Sequence, residues 1–243
     1  MNNSNELTPE QLEAVKAILG DKGGEKKYID VEVPTKCKWY ETNKISLRPF
    51  TFEDEKEAMS PMVKNKNFLN YILERCVKGI DIDSLFLVDR NFLVFKLKEI
   101  STGSNVNVSI TCDSCGRDGT LEVDLNILNI TPVDVDFPIE TELKEIGKKA
   151  FVLPPKVKDE DLMISFESIC DNAWRFVEEI DGISDTQVLH TVLNKLPIQD
   201  IHTIIKTIGM AKYGVQSSIN YLCGCGTEKV VEVPLTENFF GDS

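Results

Sequence analysis

The stretch ITCDSCG, residues 110–116, carries two cysteines with two residues between them and Gly116 directly after. A CxxC pair followed by glycine is typical of a tight knuckle around a metal ion. Structural zinc takes four ligands in a tetrahedral shell, and Cys112 and Cys115 supply only two of them. The rest of the chain therefore has to provide a second pair.

The second pair lies in YLCGCG, residues 221–226, where Cys223 and Cys225 flank one glycine and Gly226 follows. The segments before and after each pair alternate apolar and polar residues, as strands with one buried face do. These segments are VNVSIT (106–111) and LEVDL (121–125) around the first pair, and SSINYL (217–222) and VEVPL (231–235) around the second. Each pair is thus predicted to lie in the turn of a β-hairpin.

Two such hairpins facing each other predict one metal site with four thiolate ligands, Cys112, Cys115, Cys223 and Cys225. All-thiolate sites suit zinc or an iron–sulfur cluster, and two short knuckles favour structural zinc over iron–sulfur. The alternatives are two unrelated reduced cysteine pairs, or a redox-active CxxC. A redox motif of the thioredoxin type would precede a helix, whereas a strand pattern follows here.

The separation of the two pairs indicates what the metal would do. Closing a loop of about 100 residues costs about 4–5 kcal/mol of chain entropy. Structural zinc binding contributes about 10–16 kcal/mol in small finger peptides, which is more than enough to offset that cost. With no spare ligand position and no neighbouring base, the sequence predicts a staple that holds the end of the chain to its middle.

Length and charge limit the classes of function that are open to the chain. Its 243 residues indicate one large domain or two small ones, and 42% of them are apolar, which is enough for a substantial core. The formal net charge of -13 argues against nucleic acid and anionic membranes as partners. The polar N-terminal segment and the shortness of every apolar run predict a cytosolic protein, in which seven cysteines are reduced.

Residues 1–27 are predicted to form an arm with a short helix and a linker. Thr8, Pro9 and Gln11 form a helix-start signal, and an apolar stripe follows at Leu12, Val15, Ile18 and Leu19. Gly20 ends the pattern, and DKGGEKK reads as a flexible linker. The helix either packs locally or docks into a groove on a partner protein.

The remaining pattern predicts an α+β fold, because nothing in it resembles a series of parallel βαβ units. Strands are predicted at 28–33 and 44–50, helices at 51–59, 65–79 and 86–101, a hairpin at 138–156 turning at Gly147-Lys148, and further helices at 159–163, 166–180, 186–196 and 198–209. The segment 86–101 keeps strand as an alternative. Cys76 is expected in the core, Cys170 and Trp174 are expected to be buried together, and His190 and His202 are expected to be ordinary helix residues.

Four sections of the chain follow from these elements. They are the arm at 1–27, a β-rich or mixed domain with the first knuckle at 28–156, a helical insertion at 157–212, and the second knuckle hairpin with the C-terminal tail at 213–243. The β-hairpins would form a zinc-ribbon-like site that the helical insertion interrupts. The metal would then seal the insertion.

Sequence signals of catalysis are missing from the chain. There is no phosphate loop, no GxGxxG, no GxSxG and no HExxH, and two histidines offer little for acid–base chemistry. We therefore expect no enzymatic activity and no small-molecule substrate. The sequence instead predicts a scaffold that is held together by a metal ion and acts through binding surfaces.

Four segments in a characteristic order carry a family resemblance. They are ISLRPFTFEDEKEAM (45–59), NFLNYILERCV (67–77), VDRNFLVFKLKEISTGSNVNVSITCDSCG (88–116) and YLCGCGTEKVVEVPLTENFF (221–240). Together they resemble the T4-type bacteriophage baseplate protein family, whose founding member is the hub subunit or hub assembly protein. The resemblance spans about residues 28–240, and the second knuckle departs from it by being CxC rather than the usual CxxC.

The resemblance implies a structural or assembly role in a contractile-tail baseplate, in the hub or wedge region. Other baseplate and tail proteins would be the partners. The protein would be found in the host cytoplasm during assembly, and in the virion tail if it is retained. Phe239 and Phe240 would either close the core or anchor a partner.

Two other functions stay open from the residues alone. Zinc ribbons often bind nucleic acid, and the predicted hairpins offer Arg117 and Lys229 for this. The same hairpins also carry four acidic residues, Glu122, Asp124, Glu228 and Glu232. A thiol redox protein that uses one cysteine pair is the other alternative.

Overall fold

The computed structural model describes residues 7–19, 27–60, 67–236 and 239–240 and shows an α+β protein. Its helices are α1 (Pro9–Leu19), α2 (Phe52–Ala58), α3 (Phe68–Cys76), α4 (Leu87–Thr102), α5 (Phe166–Asn172), α6 (Thr186–Leu193) and α7 (Ile198–Ile208). Its strands are β1 (Ile29–Val31), β2 (Ile45–Leu47), β3 (Val77–Lys78), β4 (Asn105–Thr111), β5 (Asp118–Asp124), β6 (Ile130–Thr131), β7 (Ile139–Leu143), β8 (Lys148–Val152), β9 (Val177–Ile180), β10 (Gly214–Val215), β11 (Ser218–Leu222) and β12 (Glu228–Glu232). All strand pairs are antiparallel, which confirms the predicted fold class.

Helix α1 begins where the sequence predicts. The Thr8 backbone N–H donates to Gln11 Oε1 at 2.9 Å, and the Gln11 N–H donates to Thr8 Oγ1 at 3.3 Å, which is a reciprocal cap. None of the residues of α1 is buried, and of the apolar stripe only Val15 is partly buried. Local packing and docking on a partner both stay predictions, and residues 21–26 of the predicted linker 21–27 lie outside the described residues.

The main core packs helices α3 and α4 against a small sheet. The two predicted strands are present as β1 and β2, and β2 pairs with both β1 and β3. Cys76 is fully buried in this core, as predicted. Helix α3 ends there because Val77 leaves the helical conformation and pairs with Leu47 in the sheet, so the helix is shorter than the sequence indicates. Helix α4 confirms the helical prediction for 86–101, and Gly103 follows it at a φ of +102°.

The acidic run at 51–59 starts helix α2, as expected from the helix dipole. One carboxylate of this run, that of Asp54, also forms a buried network of ion pairs. Asp54 is fully buried and accepts two hydrogen bonds from Arg48, at 2.7 and 2.9 Å, and one from Arg75 at 2.9 Å. This network joins the end of β2 to both α2 and α3. Burial alone raises the pKa of Asp54, but the two guanidinium groups outweigh it and hold the pKa well below its usual value.

The two predicted cysteine hairpins are present as β4–β5 and β11–β12. The inward face of each hairpin packs into the main core through Val108, Ile110, Val123, Val231 and Val233. The outward faces are mostly polar and exposed. Both hairpins therefore share one core with α3 and α4, although a long stretch of sequence separates them.

A second core lies in the stretch between the hairpins. The predicted hairpin at 138–156 is β7–β8, and Gly147 has a φ of +63° in its turn. Helices α6 and α7 pack against it, as do strand β9 and the 3-10 turn Ala173–Phe176. The buried residues of this second core are Leu143, Ala150, Val152, Ala173, Phe176, Val177, Ile180, Leu189, Leu193, Ile204 and Ile208.

The predicted helix at 166–180 is wrong in its second half. Helix α5 stops at Asn172, the 3-10 turn follows, and Val177–Ile180 forms β9. Strand β9 pairs with the free edge of β8 and buries Val177 and Ile180 in the second core. Backbone pairing in the sheet satisfies the hydrogen bonds of this segment better than another helical turn with those side chains exposed.

The early end of α5 also overturns the expected burial of Cys170 with Trp174. Cys170 is exposed, and Trp174 lies past the end of the helix, where its ring is 5.2 Å from that of His190. His190 and His202 lie on α6 and α7, as predicted. His202 lies beside Phe166, with 6.2 Å between the ring centroids.

The segment that carries the second core leaves the main core at β6 and returns to it at β10, and residues 155–157 also contact that core in between. Strand β6 pairs with β10, and the Gln216 N–H donates to the Asn129 carbonyl at 2.8 Å. Gly214 is required there, because it has a φ of +75° and an added Cβ would stand 2.6 Å from Val88 Cγ2 on α4. We call this β6–β10 pairing, with its contact to α4, the neck.

Phe239 and Phe240 close the main core. They are buried, and their rings contact those of Phe95, Phe50 and Phe68. Of the two roles that the sequence left open, the structure therefore supports core closure. Among the described residues, no helix is long and apolar enough to cross a membrane.

Asp54→Asn is expected to lower the free energy of unfolding by about 3–5 kcal/mol at pH 7, because it leaves two buried guanidinium contacts without their charge. The folded-state pKa of Asp54 lies below its unfolded value of about 3.9, so its contribution is complete above that pH and falls as pH drops further. Denaturant unfolding of both proteins from pH 7 to pH 2 should show the difference shrinking below about pH 4. Asp30→Asn, at an exposed ion pair with Lys44, is the control and should change stability far less than Asp54→Asn does.

Phe240→Ala is expected to lower the free energy of unfolding by about 3–5 kcal/mol, because it empties a closed aromatic cluster. Phe52→Ala is the matched control, since Phe52 is 79% exposed and its truncation should cost at most about 0.5 kcal/mol. Denaturant unfolding monitored by circular dichroism checks both. Equal stability of the two variants would contradict core closure by the C-terminal phenylalanines.

Candidate metal centre

The first knuckle is a tight turn between β4 and β5. The Cys112 backbone N–H donates to the Arg117 carbonyl at 2.9 Å, and the Gly116 N–H donates to the Cys112 carbonyl at 2.8 Å. Gly116 has a φ of +65°, which an L-residue side chain rarely allows. The glycine after the CxxC pair is thus what lets the chain turn back and present both sulfurs on one side.

The second knuckle repeats this arrangement between β11 and β12. The Cys223 N–H donates to the Thr227 carbonyl at 2.9 Å, and the Gly226 N–H donates to the Cys223 carbonyl at 2.8 Å. Gly226 has a φ of +90° and takes the role that Gly116 has in the first turn. The CxC spacing therefore still gives a closed turn, although it is one residue shorter.

The tips of the two hairpins bring all four predicted cysteines together. Their Sγ atoms lie within 4.8 Å of one another, with Cys112 to Cys225 at 3.7 Å and Cys115 to Cys223 at 3.8 Å. Zinc–sulfur bonds of about 2.3 Å in a tetrahedron imply sulfur–sulfur distances of about 3.8 Å. A disulfide would instead require about 2.05 Å. The donor set and its spacing thus fit a tetrahedral metal ion, and the four cysteines can hold one.

Local hydrogen bonds already favour ionised sulfur at two of the four cysteines. The side chain and backbone of Thr227 lower the pKa of Cys225 to about 6, and the backbone N–H groups of Cys115 and Ser114 lower that of Cys112. The Arg117 N–H lowers the pKa of Cys115, but the neighbouring sulfurs outweigh it and raise that pKa to about 11. Thiolates held this close together repel each other, and a divalent cation bound between them would remove that repulsion.

The other three cysteines lie away from this cluster. Cys76 is in the main core, Cys170 is on the surface of α5, and Cys37, which the sequence pattern did not assign, is buried. Burial raises the pKa of the Cys37 thiol, which keeps it protonated. Within the described ranges, the four hairpin cysteines are the single group of three or more candidate ligands that lie close enough to share an ion.

Two residues that the sequence marked as possible nucleic-acid contacts belong to the candidate metal centre. Lys229 on β12 forms an ion pair with Asp113 of the first knuckle, at 3.0 Å. Arg117 lies beside Gly224 of the second knuckle. Sequence patterns give no signal for these contacts. Each contact joins two residues about 100 positions apart, and only the tertiary fold brings them together.

These features define a class: an α+β protein in which two hairpins, distant in sequence, meet at a four-cysteine cluster that can hold a metal ion. A family model described as T4 bacteriophage base plate protein matches residues 29–241. The chain belongs to this T4-type baseplate protein family, which confirms the resemblance seen in the sequence. No curated protein and no solved structure matches the chain.

The family supports a structural role in a phage baseplate, with other tail or baseplate proteins as partners and the virion tail as location. A structural family of this kind also suggests a role without catalysis. Helix α1 lies outside the matched residues, whereas both knuckles lie within them.

Purified protein is expected to contain one metal ion per chain, held by the four cysteines. Cys112→Ser and Cys223→Ser should each weaken binding enough to lower the metal content of the purified protein, since only three thiolates are left to hold the ion. Cys170→Ser is the matched control, because it removes an exposed thiol outside the cluster and should leave the metal content unchanged. Elemental analysis by mass spectrometry measures the stoichiometry and the metal, and full metal content in Cys112→Ser would contradict the assignment.

Proposed function

We propose that the protein is a structural or assembly component of a contractile-tail phage baseplate, in the hub or wedge region, and that it acts through protein–protein interfaces. The observation that carries the proposal is the family match over residues 29–241, which takes in both cores and both knuckles. The partners are other baseplate and tail proteins. Assembly takes place in the host cytoplasm, and the protein then either remains in the virion tail or leaves.

A zinc ion bound by Cys112, Cys115, Cys223 and Cys225 serves in this proposal as a structural staple. The four-sulfur donor set and the 3.7 and 3.8 Å contacts support zinc, and iron–sulfur is the less favoured cofactor. Both close contacts join one hairpin to the other, so an ion between the sulfurs would link the two hairpins directly. When bound, zinc supplies coordination bonds and no reaction chemistry.

We propose a separate structural role for each of the four sections of the chain. Residues 28–156 and 213–243 would form the part that the metal staples, with 157–212 as the insertion and 1–27 as the arm. The neck supports the boundary near residue 213, because β10 returns there beside β6. Contacts of β7–β8 with α7 also tie the end of the first section to the insertion, so the two would move together.

Nucleic-acid binding has less support than a protein partner. The chain carries a formal charge of -13, and the amine of Lys229 is already engaged with the first knuckle. A phosphate would have to displace Asp113 and the Thr111 carbonyl to reach that amine. A basic surface that is free to release counterions is what nucleic-acid affinity requires.

Removal of the gene from the phage that encodes the protein is expected to stop tail assembly before a complete baseplate forms. A plasmid copy should restore infectious particles, and Cys112→Ser should restore fewer than the Cys170→Ser control if the staple matters for the role. Mass spectrometry of purified virions and of assembly intermediates then separates a virion component from an assembly factor. Normal tails without the protein would refute the baseplate role.

A further inference from the structure

Lys229 reaches from the second hairpin to the first knuckle and makes two contacts there. Its Nζ donates to the Thr111 carbonyl at 3.1 Å and to Asp113 Oδ1 at 3.0 Å. Thr111 directly precedes Cys112, and Asp113 directly follows it. From the opposite hairpin, the amine therefore contacts the backbone just before one candidate ligand and the side chain just after it.

Arg117 lies next to the second knuckle. It follows the first knuckle by two residues, and its Nη1 lies 3.4 Å from the point where a Cβ on Gly224 would stand. Gly224 is the residue between Cys223 and Cys225. The guanidinium of the first hairpin thus covers the middle of the second knuckle, at a position that a side chain on residue 224 would crowd.

The Lys229–Asp113 pair differs from the surface ion pair of Lys149 and Glu140 in the elements that it joins. The Lys229 side chain is 35% exposed and that of Asp113 78%, against 64% for Lys149 and 53% for Glu140, which lie 2.7 Å apart on β7–β8. Lys149 pairs with a residue on the strand next to its own, so breaking that contact leaves the fold around it unchanged. Lys229 instead joins two hairpins that no backbone ladder connects among the described strands.

We propose that Lys229 and Arg117 are positioning residues of the four-cysteine site, which brace each knuckle from the opposite hairpin and set the spacing of the sulfurs before the metal binds. This inference rests on the proposed metal centre and adds the residues that determine its affinity. Their positive charges also offset the charge of -2 that four thiolates around one divalent ion carry. Groups that orient metal ligands in this way typically change affinity by 10–100-fold, roughly, when they are removed.

Lys229→Met keeps the aliphatic stem and removes the amine, and Lys149→Met is the matched control. Zinc affinity, measured by competition with a chromophoric chelator, should fall about 10-fold or more in Lys229→Met. It should stay within about twofold of wild type in Lys149→Met, because exposed pairs contribute little. Lys229→Arg should recover part of the loss, since a guanidinium can still donate to Asp113 and the carbonyl.

The absorption spectrum of the cobalt-loaded protein is the readout that general destabilisation would not move. In Lys229→Met the cobalt–thiolate bands should shift relative to wild type, while in Lys149→Met they should not. Asp113→Asn serves as a second variant if Lys229→Met does not fold, and it should also weaken zinc binding. Wild-type affinity and spectrum in Lys229→Met, or in Asp113→Asn where that variant replaces it, overturn the bracing role while leaving the metal centre intact. A wild-type protein that binds no metal overturns both, and that result appears before any variant is made.

Discussion

The structure depends on how the chain returns to its main core after the long segment that forms the second core. We call that segment the excursion. Hairpins β4–β5 and β11–β12 share that core, yet the whole second core lies between them in sequence. The neck, where β6 pairs with β10, closes this excursion, and the cysteine cluster joins the hairpin tips beyond it, while residues 155–157 also contact the main core in between. Because the neck already holds the two ends together, the loop that remains for a metal to close is much shorter than the sequence separation of the cysteines suggests.

Because this loop is short, the main effect of a bound metal ion on the fold would differ from that of a staple across the full sequence separation. A staple that closed the full loop would act mainly on chain entropy, whereas one that closes a short loop acts mainly on the relative placement of two hairpins. Each hairpin alone is a two-stranded sheet, which is marginally stable in water without packing on one face. Packing of the inward faces into the main core fixes the depth of the hairpins, and a metal ion bound at the tips would also fix their orientation.

Several cationic side chains in this acidic protein serve internal contacts. Arg48 and Arg75 surround the buried Asp54, Arg90 is buried against Glu160, and Lys229 contacts the first knuckle. The net charge of -13 gives the surface a negative field. Such a surface suits assembly with other proteins better than contact with nucleic acid, in keeping with membership of a baseplate family.

The sequence by itself determined the elements whose signals are local: the Thr8–Gln11 cap, helix α4, the turns at Gly116 and Gly226, and the pairing of both knuckles through repeated strand patterns. The sequence also indicated the family, because the characteristic motifs occur along the chain in the order typical of that family. Tertiary structure alone decided the rest. Val177–Ile180 became a strand because β8 had a free edge, Asp54 became a buried ion because Arg48 and Arg75 meet it, and Lys229 found Asp113 across the hairpins. Each of these depends on a partner distant in sequence, and local periodicity carries no information about such partners.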